Sequence, residues 1–300
     1  MKKKLLNADY IVVFFVSLFV IIQELFLTRI LNLKAWNHLV YTVIPFAILG
    51  YGIGANAYLI LKERIHQFQK RNVIGMNLLC ISFFSLFTAA SLVYLPLRIE
   101  YVLNIFTNVK AISMLLLAYA IFMLPFMSIG FLVVYLFSND PEGSPRLYFF
   151  DLLGAGVGAA LFFPFINHFA VFHSLIFFAL AGLLLSLCYF FPGHRLKAAA
   201  VVVILLFLSL RFIPEPRNYT IDKSKGWEWI PGYFSKDQYA QVTSRWHSLG
   251  RTDIYRITDE ESRDYLYQNS PGTFLINVLP RPEFAYISTN YLSGTPVYNL

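Results

Sequence analysis

Several groups of residues in this 300-residue chain have types and spacings that could do chemistry. Gly154-Ala155-Gly156-Val157-Gly158-Ala159 fits the pattern G-x-G-x-x-A and follows a strand-like run at 148–153. In a dinucleotide-binding turn such glycines bring backbone N–H groups up to a pyrophosphate. That turn also needs an acidic residue about 20 positions on to hold a ribose. None stands there, and the chain runs instead into Leu161-Phe162-Phe163. The same spacing puts Gly154 and Gly158 on one helix face, where small residues let two helices approach closely in lipid. The sequence favours packing. Gly50 and Gly54, flanked by Ala47 and Ala57, repeat the device, and nothing in the sequence decides whether the two faces meet.

The second group is ionisable and lies within apolar runs, where charge is expensive and functional by default. Glu24 is the most deeply placed by sequence. Arg29 follows five residues later, about 140° around a helix, so the two do not pair directly. Glu24 therefore looks to another helix for a partner. Asp151 stands near the start of its run, at interfacial depth. Two roles stay open for Glu24 and Asp151: tying helices together, or handling a ligand or proton. His168 and His173 are five apart, which does not put them on one helix face, so no metal site is expected. In the tail, Arg245-Trp246-His247-Ser248-Leu249-Gly250-Arg251-Thr252-Asp253 is dense in polar and aromatic residues. His247, Arg251 and Asp253 could serve acid–base chemistry, and a loop entering a strand would look the same. Cys80 and Cys188 sit inside apolar runs, form no metal or disulfide spacing, and read as small buried residues.

The elements that must position these residues are membrane helices. Hydrophobic residues make up 57% of the chain and charged residues 14%, against about 45–50% and about 25% in soluble domains. That excludes an ordinary soluble enzyme over most of the length. Seven apolar stretches of bilayer length are expected near 10–33, 39–61, 74–95, 111–137, 148–168, 170–191 and 197–213. The first is too long for a cleaved signal, and no small-residue cleavage site follows it. The net charge of +7 divides unevenly: residues 1–213 carry 15 Lys and Arg against 7 Asp and Glu, and the remainder is slightly acidic. The excess is an orientation signal, with no clustered face of the kind that grips nucleic acid. Ten basic residues fall in the terminus and loops on one side of the spans and three, Lys34, Arg98 and Lys110, on the other. This places the amino terminus in the cytoplasm of a multi-pass protein of the cell (inner) membrane.

Pro214 and Pro216 end the last helix. Residues 214–250 read as a linker with interfacial aromatics Trp227 and Trp229. Beyond it, β-branched runs at 252–258, 263–268, 273–279, 284–289 and 295–298 alternate with turn residues. The expected fold is an α-helical polytopic membrane bundle of about seven spans (1–213), followed by a small, incomplete antiparallel β domain (251–300). The lipid bilayer is its first partner.

Leu147-Tyr148-Phe149-Phe150-Asp151-Leu152-Leu153-Gly154-Ala155-Gly156-Val157-Gly158-Ala159 resembles the Y-x-x-D-L-x-G-A-x-x-G motif of integral-membrane spermidine synthase-like proteins. Gln23-Glu24-Leu25-Phe26-Leu27-Thr28-Arg29 resembles the first-helix glutamate and arginine of that family. The segment 244–253 resembles its W-N-S-x-x-R-x-D segment, with His247 replacing Asn beside Trp246, Arg251 and Asp253. The resemblance implies a membrane region and small β domain that anchor an aminopropyltransferase-like Rossmann domain. That catalytic domain would begin about where this chain ends, so the resemblance carries over no catalytic residue and no cofactor. Decarboxylated S-adenosylmethionine, or S-adenosylmethionine itself for methyl transfer, would be bound only by the following domain, and a polyamine would be the partner substrate. The resemblance also implies a cytoplasmic tail, whereas seven spans put it outside. The last span is the shortest and the one to test. The other reading is a transporter-like bundle that uses Glu24 and Asp151 for a small cationic solute, although no inverted repeat is visible.

Overall fold

A computed structural model of the chain describes residues 8–34, 40–94, 109–169, 171–212, 237–247, 250–261, 284–289 and 293–298. Among the described residues seven α-helices match the seven apolar runs: α1 (Ala8–Lys34), α2 (Val43–Ile65), α3 (Lys70–Tyr94), α4 (Val109–Asn139), α5 (Ser144–His168), α6 (Val171–Phe190) and α7 (Arg195–Phe212). Six of them, α1 to α6, are long and apolar enough to cross a membrane. The seventh is the exception. It forms a helix of 18 residues, about 27 Å of rise against a hydrocarbon core about 30 Å thick. The helices also outrun their apolar windows. α2 extends through Lys62, Glu63 and Arg64, and α3 opens on Lys70 and Arg71, because backbone hydrogen bonding continues a helix into the headgroup region where hydropathy alone stops it.

The bundle is organised around α1. Val12, Val13, Val16, Phe19, Ile22, Phe26, Leu27 and Ile30 are all buried, and they occupy more than one face of the helix. A helix apolar all round belongs in the interior of its bundle. α1 packs most extensively on α5, α2 on α4, and α3 on both α6 and α4. The shared core adds Leu78 and Ile81 of α3, Phe126, Ile129 and Leu132 of α4, and Leu175 and Phe178 of α6. α7 folds back along α6, with Val202 packed against Ile176 and Leu180.

Proline inside α4 is accommodated by a neighbour. Pro125 has no N–H to give, so the carbonyl four residues earlier, on Ile121, loses its helical partner. Thr88 of α3 donates its hydroxyl to that oxygen at 3.2 Å, within a buried environment. In lipid no water replaces such a bond, and neighbouring hydroxyls commonly supply it.

The described tail backbone comprises β1 (Tyr239–His247), β2 (Gly250–Ile257), β3 (Phe284–Thr289) and β4 (Ser293–Tyr298), paired antiparallel in chain order. β1 lies inside the stretch expected to be linker. The expected strands at 263–268 and 273–279, and the aromatic segment at 227–232, fall outside the described residues.

Candidate functional site

The glycine motif lies wholly inside α5, and the run before it is helical too, so no strand-to-helix turn exists to cradle a phosphate. Its glycines serve close packing. A Cβ on Gly154 would collide with the backbone carbonyl of Phe14, and one on Gly158 would stand 2.6 Å from the carbonyl oxygen of Leu18. Both glycines are buried and lie one turn apart, so the backbone of α5 rests directly on that of α1. Gly156, on the opposite side, has nothing within 4 Å. Asp151 completes the joint one turn earlier: its carboxylate accepts a short hydrogen bond from the Ser17 hydroxyl of α1. Tyr10 of α1 stacks on Phe150 of α5 with ring centroids 5.3 Å apart. Asp151 is about 10 Å along its helix from Ser144.

Gly50 and Gly54 perform the same service for a different pair. Gly50 abuts Met123, where an added Cβ would sit 2.9 Å from the carbonyl oxygen, and Gly54 abuts the backbone of Met127. Gly130 of α4 returns the contact onto the backbone of Tyr51. The two small-residue faces therefore do not meet each other. Each seats its helix on a different partner, α5 on α1 and α2 on α4. The α2–α4 joint is closed at its other end by Phe46 stacked on Tyr119 at 4.1 Å, and by a 2.5 Å hydrogen bond between Thr42 and Tyr119 hydroxyls.

Glu24 lies halfway along α1 and is half-buried. The salt bridge found among the described residues is Asp9–Lys70, so Glu24 has no cationic partner there. Arg29 turns away from it, as the spacing requires, and its guanidinium carbon lies 5.8 Å from the centre of the Phe162 ring on α5. The Nε of Arg29 is buried without a hydrogen-bond partner.

Gln23, to which the sequence assigns no role, stands beside Glu24. It is fully buried, and both its amide nitrogen and oxygen lack a partner. A buried amide left unpaired is costly, on the order of 1–3 kcal/mol. It was legible as an uncharged polar residue in an apolar run, but one amide draws less notice than the glutamate next to it. Lys70 counts in sequence only toward the basic bias, and its pairing with Asp9 is visible only in the fold. Their 2.5 Å bridge joins the first turns of α1 and α3; Tyr58 and Tyr135 stack edge-on at 5.8 Å. The Tyr58 hydroxyl is buried and unpartnered.

His168 turns back on its own helix, its Nδ1 2.9 Å from the carbonyl oxygen of Pro164. Among the described residues no three His, Cys, Asp or Glu side chains gather as a metal site. Cys80 and Cys188 are free and part-buried. In the tail, strand register sets Trp246 opposite Arg251, His247 opposite Gly250, and Ser244 opposite Asp253, so the expected tail motif spans one hairpin. The structure thus joins Asp151 to the glycine motif, and leaves Glu24 about 10 Å along α1 from Ser17. No protein family, curated protein or solved structure matches this chain.

Proposed function

We propose that the chain is the membrane-anchoring part of a spermidine synthase-like transferase, with its strands forming the small β domain that leads into a catalytic unit. The observation supporting this most is the role of the segment that carries the resemblance. Asp151, Gly154 and Gly158 fasten α5 to α1, a packing role that fits an anchor. On this reading residues 1–300 transfer no group alone and bind no S-adenosylmethionine. The amino terminus is cytoplasmic by the bias of basic residues. With α1 to α6 crossing, an even number, the tail returns to the same side, where a cytoplasmic substrate is found. The test is to express the reading frame continued beyond Leu300 and assay aminopropyl or methyl transfer. Transfer by the extended protein, absent from residues 1–300, supports the proposal. A stop codon directly after Leu300, or transfer by residues 1–300 alone, defeats it.

Gln23 favours a second reading. Its unpaired amide beside Glu24 suits a bundle that receives a small cationic solute at mid-depth. Uptake of a labelled amine by proteoliposomes, lost in Glu24→Gln while the protein still assembles, would support transport over anchoring.

A further inference from the structure

Two turns at the end of the bundle where α1 begins are joined. Arg71, in the first turn of α3, donates from Nη2 to the carbonyl oxygen of Phe190 at 2.9 Å. That carbonyl belongs to the last residue of α6, which cannot be paired within the helix. One turn deeper, the Ser186 hydroxyl donates to the carbonyl of Gly75 at 2.7 Å. The α2–α3 turn and the α6–α7 turn therefore form one continuous surface with Arg71 between them. The second turn is itself closed by His194 N–H donating to the carbonyl of Phe191 at 2.9 Å.

This surface is strongly biased in charge. Lys62, Arg64, Arg71 and Lys197 are exposed, and none takes part in a salt bridge among the described residues. His66 and His194 are exposed beside them, and Glu63 is the acidic residue on these two turns. Asp140 and Glu142 stand on the neighbouring α4–α5 turn, where Asp140 is engaged with the N–H of Gly143. Lys70 is committed to Asp9. Among the cations sit bulky apolar side chains left uncovered: Phe68 is 64% exposed, Phe191 55% and Leu196 89%. A surface made only for water has no use for those three, and a surface made only for acyl chains has no use for four cations that form no salt bridge among the described residues. Basic side chains set among exposed aromatic and aliphatic ones match the boundary between anionic headgroups and acyl chains.

We propose that the joined turns bind an anionic phospholipid, with Arg71 and Lys197 receiving the headgroup phosphate and Phe68, Phe191 and Leu196 entering the adjoining acyl layer. The proposal is independent of what the rest of the protein does. Charge complementarity selects the occupant, because a zwitterionic lipid brings its own cation to a surface that already has an excess. Free phosphate shares the headgroup chemistry but cannot engage the apolar side chains.

The experiment uses the full chain, purified in neutral detergent. Its thermal midpoint is followed while dioleoyl-phosphatidylglycerol, dioleoyl-phosphatidylcholine or inorganic phosphate is added. Phosphatidylglycerol should raise the midpoint at concentrations where the other two do not, and should be retained preferentially in native mass spectra. Neutralising Arg71 and Lys197 together as glutamine should raise the phosphatidylglycerol concentration needed by about 30-fold, at roughly 1 kcal/mol for each surface charge. If that variant does not fold, Lys62→Gln with Lys197→Gln takes its place, since neither side chain forms a salt bridge among the described residues. Equal stabilisation by both lipids, equal stabilisation by inorganic phosphate, or an unchanged lipid preference in the neutralised variant overturns the proposal.

Discussion

The sharpest consequence of the α1–α5 joint is a difference in sign between glycines two residues apart. Replacing Gly158 by Ala puts a methyl group 2.6 Å from the carbonyl oxygen of Leu18, where ordinary contact begins near 3.4 Å, so the backbones must part by about 0.8 Å. At Gly154 the collision with Phe14 is closer still. Neither obstacle is the flexible end of a side chain that could swing aside; both are helical backbone. Forcing extra volume into a packed interface costs typically 1–3 kcal/mol, and parting the helices also weakens the neighbouring Ser17–Asp151 bond. At Gly156 nothing lies within 4 Å, so alanine meets no obstacle and removes the entropic penalty of a mid-helix glycine, a gain of about 0.5–1 kcal/mol. Gly154→Ala and Gly158→Ala should therefore each lower stability by about 2 kcal/mol, roughly a 30-fold change in the unfolding equilibrium, while Gly156→Ala raises it slightly. The assay is unfolding of detergent-solubilised protein by sodium dodecyl sulfate, followed by circular dichroism. If alanine at 154 and at 156 acts alike, the motif does not seat α5 on α1, and the packing argument fails.

Four further outcomes follow from the same geometry. Gly54→Ala should be destabilising and Gly52→Ala neutral or better, in the same unfolding assay, because Gly54 abuts Met127 and Gly52 meets nothing. Thr88→Val should cost about 1–3 kcal/mol by leaving the Ile121 carbonyl unpaired; in a Pro125→Ala background, where a backbone N–H can return to that carbonyl, the penalty should shrink. Gln23→Met should stabilise the protein by about 1–2 kcal/mol by removing an unpaired buried amide, and a loss of stability would mean that the amide has a partner, such as bound water. A reporter fused after Leu300 should give a cytoplasmic signal, whereas an external one would show that α7 completes a seventh crossing.

The positions of the seven described α-helices are legible in the sequence, because a run of about 20 apolar residues has few alternatives in a bilayer. Their ends were not. Hydropathy marks where lipid stops, and α2 and α3 continue past it on hydrogen bonds that charged residues do not interrupt. The seventh run reads like the others by composition, and its 18-residue helix is the shortest of the described α-helices. In the tail, the stretch containing β1 reads as linker in sequence, because its polar residues resemble a loop until a partner strand is known.

The residue types alone identified Gly154 and Gly158 as a packing face, since a G-x-G-x-x-A run without a following acid has little else to do in lipid. They also forbade a direct Glu24–Arg29 pair, because five residues of α-helix fix an angle of about 140° whatever surrounds them. Partner choice is not local, and there only the tertiary structure decided. It assigned Gly154 to Phe14 and Gly50 to Met123, gave Asp151 to Ser17, supplied Thr88 to the carbonyl that Pro125 had orphaned, and buried Gln23 with nothing to bond. It also set Arg71 on the end of α6, joining two basic turns more than a hundred residues apart. Spacing along one helix is fixed by its own geometry, but what lies across the interface depends on how every other helix has packed.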